Sequence, residues 1–174
     1  MKNIRIWIVI VFVLLMLVTM LLYLPTGDQQ TSPRLMHPES LGDLRIDMPE
    51  SKVVELLGDP QEKSRQHLSE TDALYHQEWR YPRQGIFLDL AAASADDKLR
   101  VASMRAGLYS LVETARGIKV GDSFAAVNTA YGDQLDADNS EPPFTLLAGS
   151  PYAGVLFSFE EGKVIQIFIG ATAE

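Results

Sequence analysis

The longest apolar run of the chain lies near its start. Residues 6–24 carry no charge and are apolar except for Thr19. At ~1.5 Å rise per residue, a helix of this length spans roughly 28 Å and matches a bilayer core of about 30 Å. A cleaved signal peptide would have a shorter apolar region that ends in small residues, unlike Leu22-Tyr23-Leu24-Pro25. The pattern therefore predicts an uncleaved transmembrane signal anchor at 6–24, in contact with the lipid bilayer.

Flanking charges predict the direction of this segment. Lys2 and Arg5 precede it, whereas the first charges after it are Asp28 and Arg34. Positive residues stay on the cytoplasmic side. We therefore expect a single-pass protein of the cytoplasmic membrane, with residues 1–5 as a cytoplasmic stub. The rest of the chain would be periplasmic or extracellular.

Residues 25–40 form a distinct segment between the apolar run and the remainder. They are rich in Pro, Gln, Thr and Ser and include three prolines, which disfavours a regular helix or strand. We predict a linker at 25–40 and a single exported domain at 41–174, since this length fits one compact core.

An internal repeat organises the predicted domain. Residues 44–59 align with residues 118–133 without a gap. The identical pairs are Val53/Val127, Gly58/Gly132 and Asp59/Asp133. Each copy has the features of a short amphipathic helix that ends at a glycine. The alignment predicts repeat one at 41–107 and repeat two at 114–174.

Capping residues support both helices. Asp47 is the expected N-cap of the first, with Glu50 three residues later, and Gly58 is expected to end it in a left-handed conformation. In the second copy Asp122 or Ser123 is expected to be the N-cap, and Gly132 to end the helix.

After each helix the hydrophobic period changes from 3.6 to 2, as in strands. Residues 75–81 alternate between aromatic or amide and charged side chains. Residues 85–90 resemble 154–159, and Arg100-Val101 resembles Lys163-Val164. The order of helix and strands therefore repeats.

These units resemble the superfamily of the β-lactamase inhibitor protein and the SmpA/OmlA (BamE-like) lipoproteins of the outer-membrane barrel-assembly machinery. The similarity lies in the Gly117–Gly132 helix unit and, less fully, in Leu44–Pro60 with Trp79-Arg80-Tyr81. It implies an α+β fold in which two tandem helix-plus-antiparallel-strand repeats form one sheet with helices on one face. The chain departs from the family in lacking the lipidated cysteine and the cysteine pairs of the inhibitor.

Charge and cysteine content exclude several classes of function. The 15 basic residues include Lys2 and Arg5, so 13 basic face 23 acidic residues beyond the apolar run, a net charge of −10. Nucleic-acid binding by counterion release is therefore not expected. The absence of cysteine excludes disulfides, thiolate metal sites and Cys nucleophiles.

Three candidate chemical sites are weaker than their structural alternatives. Ser123 lies in a Gly-Asp-Ser-Phe sequence similar to that of some serine esterases, but no histidine follows it, and a helix cap is the favoured interpretation. Asp133, Asp136 and Asp138 lack the spacing of a calcium loop and indicate a solvated acidic loop. His67 and His76 lack a zinc-site spacing. We predict no catalytic residue, metal or cofactor.

The alternating strand at 75–81 offers a binding surface instead. We expect Trp79 and Tyr81 to be core residues, because the resemblance places this strand against the helices. The opposite face is the predicted partner-binding surface. Its residues are His76, Glu78, Arg80, Phe87 and Asp89.

The sequence thus predicts a membrane-anchored, non-enzymatic protein-interaction module of the cell envelope. It would be either an inhibitor or immunity-like protein or an assembly scaffold, with a protein partner and no nucleic acid. The alternatives are an exported serine hydrolase that uses Ser123 and an envelope ligand sensor.

Overall fold

Antiparallel strands dominate the computed structural model, which describes residues 39–172. The strands are β1 (Ser40–Leu41), β2 (Leu44–Arg45), β3 (Glu62–Lys63), β4 (His67–Leu68), β5 (Tyr75–Tyr81), β6 (Ile86–Ala92), β7 (Arg100–Ala106), β8 (Leu135–Glu141), β9 (Thr145–Ser150), β10 (Ala153–Glu160) and β11 (Lys163–Gly170). The helices of this part are α1 (Glu50–Leu57) and α2 (Phe124–Tyr131), and a 3₁₀ turn follows at Gly132–Gln134.

Nine of these strands form one antiparallel sheet. Its order is β3-β5-β6-β7-β11-β10-β9-β8, with β4 also paired to β5, while β1 and β2 form a separate hairpin. The pairing of β7 with β11 joins the strands that follow α1 to those that follow α2. The strands β7 and β11, which end the two repeats, therefore lie next to each other in the middle of the sheet.

The two aligned segments make equivalent backbone contacts. The residue before each helix forms a bridge to the first residue of a central strand, Pro49 to Arg100 and Ser123 to Lys163. Two residues earlier in each copy, the N–H groups of Asp47 and Gly121 donate to the carbonyls of Val101 and Val164 respectively, at 2.8 and 2.7 Å. The gap-free alignment thus relates residues in equivalent structural positions.

One hydrophobic core collects the inward side chains of strands and helices. Burial alternates along β6, where Ile86, Leu88 and Leu90 are buried and the residues between them are half-buried. From the helices, Val53 and Val127 join the same cluster. The predicted strands at 75–81, 85–90 and 154–159 are confirmed as β5, β6 and β10, except that β6 begins one residue later, at Ile86.

The predicted α+β class with helices on one face is wrong. Strands make up 46% of the structure and helices 14%. Eight residues of helix extend only ~12 Å, whereas eight strands side by side span about 34 Å. Helices this short cannot form a layer over the sheet, so the fold is mainly β.

The sequence did not predict β8 or β9. Leu135–Glu141 was interpreted as part of a solvated acidic loop, but it forms an edge strand that pairs with β9. Within it Asp136 is 7% exposed and accepts hydrogen bonds from the backbone of Asp138 and Asn139. Because charge masks the period-2 pattern in this strand, alternation was not visible there.

The predicted helix caps are only partly correct. Pro49, rather than Asp47, precedes α1, and the Asp47 carboxylate is held by Arg100 of β7, with 3.0 Å between Nη2 and Oδ2. Gly58 ends α1 with φ +77°, as predicted. Ser123 is the N-cap of α2 and accepts from the N–H of Ala126 at 3.1 Å.

The predicted membrane localisation also needs correction. Within residues 39–172 no helix has the length and apolar character needed to span a membrane. Nothing in this part of the chain therefore supports the predicted single-pass anchoring with a periplasmic or extracellular domain. The signal anchor at 6–24 and the stub at 1–5 lie outside the described residues, as does all but the end of the linker.

Candidate functional site

The five residues predicted to bind a partner share one face of the sheet. In β5 these are His76, Glu78 and Arg80, and in β6 Phe87 and Asp89. Glu78 pairs with Asp89 and Arg80 pairs with Phe87 across the two strands. Directly paired residues point to the same side of a sheet. Their binding role remains a prediction, but their common location is a property of the fold.

The other side of β5 belongs to the core, as predicted. Trp79 and Tyr81 are 1% and 0% exposed. The Tyr81 hydroxyl donates to the Gly58 carbonyl at 3.1 Å, and burial raises the pKa of Tyr81 to about 12. These aromatics therefore stabilise the domain, and they are not available to a partner.

A continuous row of side chains crosses the sheet on the same side as Arg80 and Phe87. Each member is the direct pairing partner of the next on the neighbouring strand. In order from β3 to β8 the row is Glu62, Arg80, Phe87, Arg105, Phe168, Leu156, Leu147 and Asp136. We call this the cross-strand row and the side that carries it the outer face. Leu147 and Asp136 at the β8 end of the row are buried, and the other six residues lie outside the hydrophobic core.

Apolar residues fill the middle of the cross-strand row. Phe87, Phe168 and Leu156 are half-buried, and Arg105 between the two aromatics is exposed. Its guanidinium carbon lies 4.8 Å from the centre of the Phe87 ring. The middle of the outer face thus combines aromatic surface with one cation, the composition typical of protein interfaces.

Sequence reasoning missed Arg105, Phe168 and Leu156 as surface residues. The sequence predicted the first residues of β7 and β11 but not that these two strands pair. The outer face was therefore not recognised as one surface that continues from one repeat to the other. The signal was present in the alternation of Arg100–Ala106 and Lys163–Gly170. Because the pairing of distant strands is not encoded locally, alternation alone does not give the register.

Two glycines, Gly154 and Gly170, make room for apolar side chains of the row. Gly154 of β10 pairs with Gly149 of β9 and with Gly170 of β11. A Cβ at Gly154 would lie 2.9 Å from Cδ1 of Leu147, and one at Gly170 would lie 3.3 Å from Cζ of Phe168. Both side chains therefore lie over glycine backbone, and Leu147 is only 1% exposed. This packing holds the apolar part of the face in place.

His76 lies between two carboxylates next to the cross-strand row. Its Nδ1 is 2.7 Å from Oδ2 of Asp89, and its Nε2 is 2.9 Å from Oδ2 of Asp72. Burial alone would lower the pKa of His76, but the hydrogen bonds to Asp89 and Asp72 outweigh it and raise this pKa. A protonated imidazole donates to both carboxylates and so attaches the 69–74 turn to the sheet.

Within residues 39–172 no hydrogen bond joins Ser123 to His67 or His76. The Ser123 hydroxyl accepts the cap bond of α2, and Ser123 pairs with Lys163 at the start of β11. His67 and His76 lie opposite each other on β4 and β5. Both ring nitrogens of His76 are bonded to carboxylates, so neither is free to take a proton from a hydroxyl.

The acidic and histidine residues do not converge on a metal position. Within residues 39–172 no three His, Asp or Glu side chains come together in a geometry that could hold a metal ion. Of the three clustered aspartates, Asp133 forms an ion pair with Arg116 at 3.0 Å, and Asp136 bonds within its own strand. These carboxylates therefore have structural partners.

Comparisons with protein-family models, curated proteins and solved structures found no match to this chain. The functional argument consequently depends on the geometry of the outer face and on the motif resemblance described above.

Proposed function

We propose that the protein is a non-enzymatic protein-interaction module whose outer face binds another protein. The observation that carries this proposal is the cross-strand row, in which Phe87, Arg105, Phe168 and Leu156 lie side by side across four strands. Aromatic and arginine side chains contribute most to the affinity of protein complexes. The row offers both on a surface built from paired strands.

Rigidity of this surface supports the proposal. Phe168 lies over Gly170, and the strands beneath it are hydrogen-bonded to neighbours on both sides. A surface that is already ordered loses little conformational entropy when it binds. The polar residues His76, Glu78 and Asp89 lie to one side of the row and would form part of the rim of the interface.

The resemblance to the β-lactamase inhibitor protein and SmpA/OmlA superfamily points to the same class of function. It suggests either an inhibitor or immunity-like protein or a scaffold for assembly. In either case binding would involve the five predicted residues and the middle of the row. The proposed function does not require Ser123 to act as a catalytic residue.

Site-specific photo-crosslinking in the native host tests the proposal. A benzoylphenylalanine placed at Phe87 or Phe168 should give the same discrete protein adduct. The matched control places it at Leu56, which is 44% exposed on α1. Adducts from the outer face that are absent from position 56 support the proposal. Equal adduct patterns at all three positions, or none from the outer face, would reject it.

A further inference from the structure

Arg105 is the cation at the centre of the cross-strand row. Its direct neighbours across the strands are Phe87 on β6 and Phe168 on β11. Both are aromatic, so the guanidinium has no acidic group directly beside it on either neighbouring strand. Within residues 39–172 Arg105 makes no salt bridge or side-chain hydrogen bond.

The other arginine of the row, Arg80, differs from Arg105 in having acidic partners. Arg80 contacts Glu78 at 2.8 Å and Glu62 at 3.8 Å, so its charge is compensated within the domain. The chain as a whole is acidic, with a formal net charge of −8. Among the described residues Arg105 is thus the arginine of the row whose charge has no acidic partner.

The groups around Arg105 favour the binding of one negatively charged group. The closest carboxylate on the adjacent strand is Asp89, two residues from Phe87, and it is already bonded to His76 at 2.7 Å. On β7 the residue of the outer face that precedes Arg105 is Ser103. On β11 the residue of the outer face that precedes Phe168 is Gln166. A carboxylate placed over Arg105 would thus meet one cation, two aromatic rings and neutral polar groups.

The same surroundings define the chemistry of the ligand group. A guanidinium binds a carboxylate through two parallel hydrogen bonds, and partial exclusion of water strengthens them. The flanking rings of Phe87 and Phe168 favour apolar side chains on either side of that carboxylate. A single cation in an acidic chain does not match a polyanion, whose binding needs several basic residues.

We propose that Arg105 determines the specificity of the outer face by binding a carboxylate that the partner protein presents between apolar side chains. This proposal rests on the proposed function, because it takes the outer face to be the protein-binding surface. The bound segment carries Asp or Glu with an apolar or aromatic residue on each side. Its carboxylate pairs with Arg105, and its apolar side chains lie on Phe87 and on the Phe168–Leu156 part of the row.

Selection from a random dodecapeptide phage library tests this directly. The full-length chain is immobilised in a non-ionic detergent, and selected peptides are measured against wild type, Arg105→Gln, Arg105→Lys and Phe168→Ala. We expect an Asp or Glu flanked by apolar residues to be enriched. Binding should weaken about tenfold or more in Arg105→Gln. It should weaken less in Arg105→Lys, which keeps the charge but not the paired hydrogen bonds.

Arg83→Gln provides the matched control. Arg83 is an exposed arginine in the turn between β5 and β6, and within the described residues it makes no ion pair, so this variant removes the same charge away from the row. Its peptide affinity should equal that of wild type. An equal loss in Arg83→Gln and Arg105→Gln would indicate a general charge effect and overturn the proposal.

The outcomes separate this proposal from the one on which it rests. Peptides that lose affinity in Phe168→Ala but not in Arg105→Gln would leave the outer face as a binding surface and reject Arg105 as its specificity determinant. Peptides that are insensitive to both changes, or a selection that yields no peptide, would count against both proposals.

Discussion

The hydroxyl of Tyr131 donates a hydrogen bond to Oε2 of Glu39 at 3.1 Å, joining the end of α2 to the start of the described chain. Both residues are buried, Tyr131 at 0% and Glu39 at 7% exposure. Burial raises the pKa of Glu39, although the Tyr131 hydroxyl, the charge of Arg116 and backbone N–H groups oppose the rise. The carboxylate therefore depends on its hydrogen-bond donors.

We expect Tyr131→Phe to lower the free energy of unfolding by about 1–3 kcal/mol, because it removes a donor from a buried carboxylate. Urea denaturation of the full-length chain at neutral pH measures the loss. In a Glu39→Gln background the same change should cost less, since a neutral amide needs fewer donors. Equal costs in both backgrounds would show that the hydrogen bond is not the source of the effect.

The aligned glycines of the two repeats should respond differently to alanine. Gly58 has φ +77° and ψ −174°, a region that only glycine adopts readily, so Gly58→Ala should cost about 1–3 kcal/mol. Gly132 has helical angles and open space where a Cβ would be. Gly132→Ala should be neutral or stabilising by about 0.4–1 kcal/mol. Thermal unfolding of both variants checks the contrast, which would disappear if the two glycines had the same role.

Gly154 is expected to be intolerant of any side chain. A Cβ there would lie 2.6 Å from the Ser150 carbonyl oxygen and 2.8 Å from that of Ala148. Because these are backbone atoms in a paired strand, we expect Gly154→Ala to cost about 2 kcal/mol or more. The control is Gly107→Ala, whose Cβ would meet only Cε2 of Phe87 at 3.6 Å. A small and equal loss in both variants, measured by denaturation, would contradict the predicted crowding at Gly154.

His76 should make stability depend on pH. Its folded-state pKa lies above the ordinary value of 6.5, so its contribution is fully present below about pH 6.5 and is lost as pH rises through the folded pKa. We expect His76→Gln to cost about 1–3 kcal/mol at pH 6 and clearly less at pH 9. Urea denaturation between these values follows the change.

His67→Gln is the control for this prediction. His67 lies opposite His76 on β4, but its ring makes no hydrogen bond within residues 39–172. His67→Gln should therefore cost less free energy of unfolding than His76→Gln at pH 6. A His76→Gln loss that is constant from pH 6 to pH 9 would show that the imidazolium does not hold the two carboxylates.

Local elements were predictable where the side-chain pattern reflects burial. The bounds of the strand at 75–81 were predicted correctly because Trp79 and Tyr81 point to the core and Arg80 between them does not. The cap at Ser123 was also predictable, since its hydroxyl acts on a backbone group three residues away. These features depend on neighbours in sequence.

The fold class and most of the outer face depend on contacts between distant residues, so local patterns did not give them. The pairing of Arg105 with Phe168 joins strands from different repeats, and no periodicity within either strand specifies it. Asp47 was expected to be a cap, but Arg100 on a strand far along the chain binds its carboxylate. The sequence thus predicted the residues of the candidate site on β5 and β6. It did not predict Arg105, Phe168 and Leu156, which extend the site across β7, β11 and β10.

The position of β11 also constrains how the protein can be made. This strand comes later in the chain than β7 and β10, and it lies between them. During synthesis both therefore have an unpaired edge until Lys163–Gly170 leaves the ribosome. An unpaired edge can pair with another chain. Insertion of β11 pairs both edges at once and so removes two sites at which another chain could add a strand.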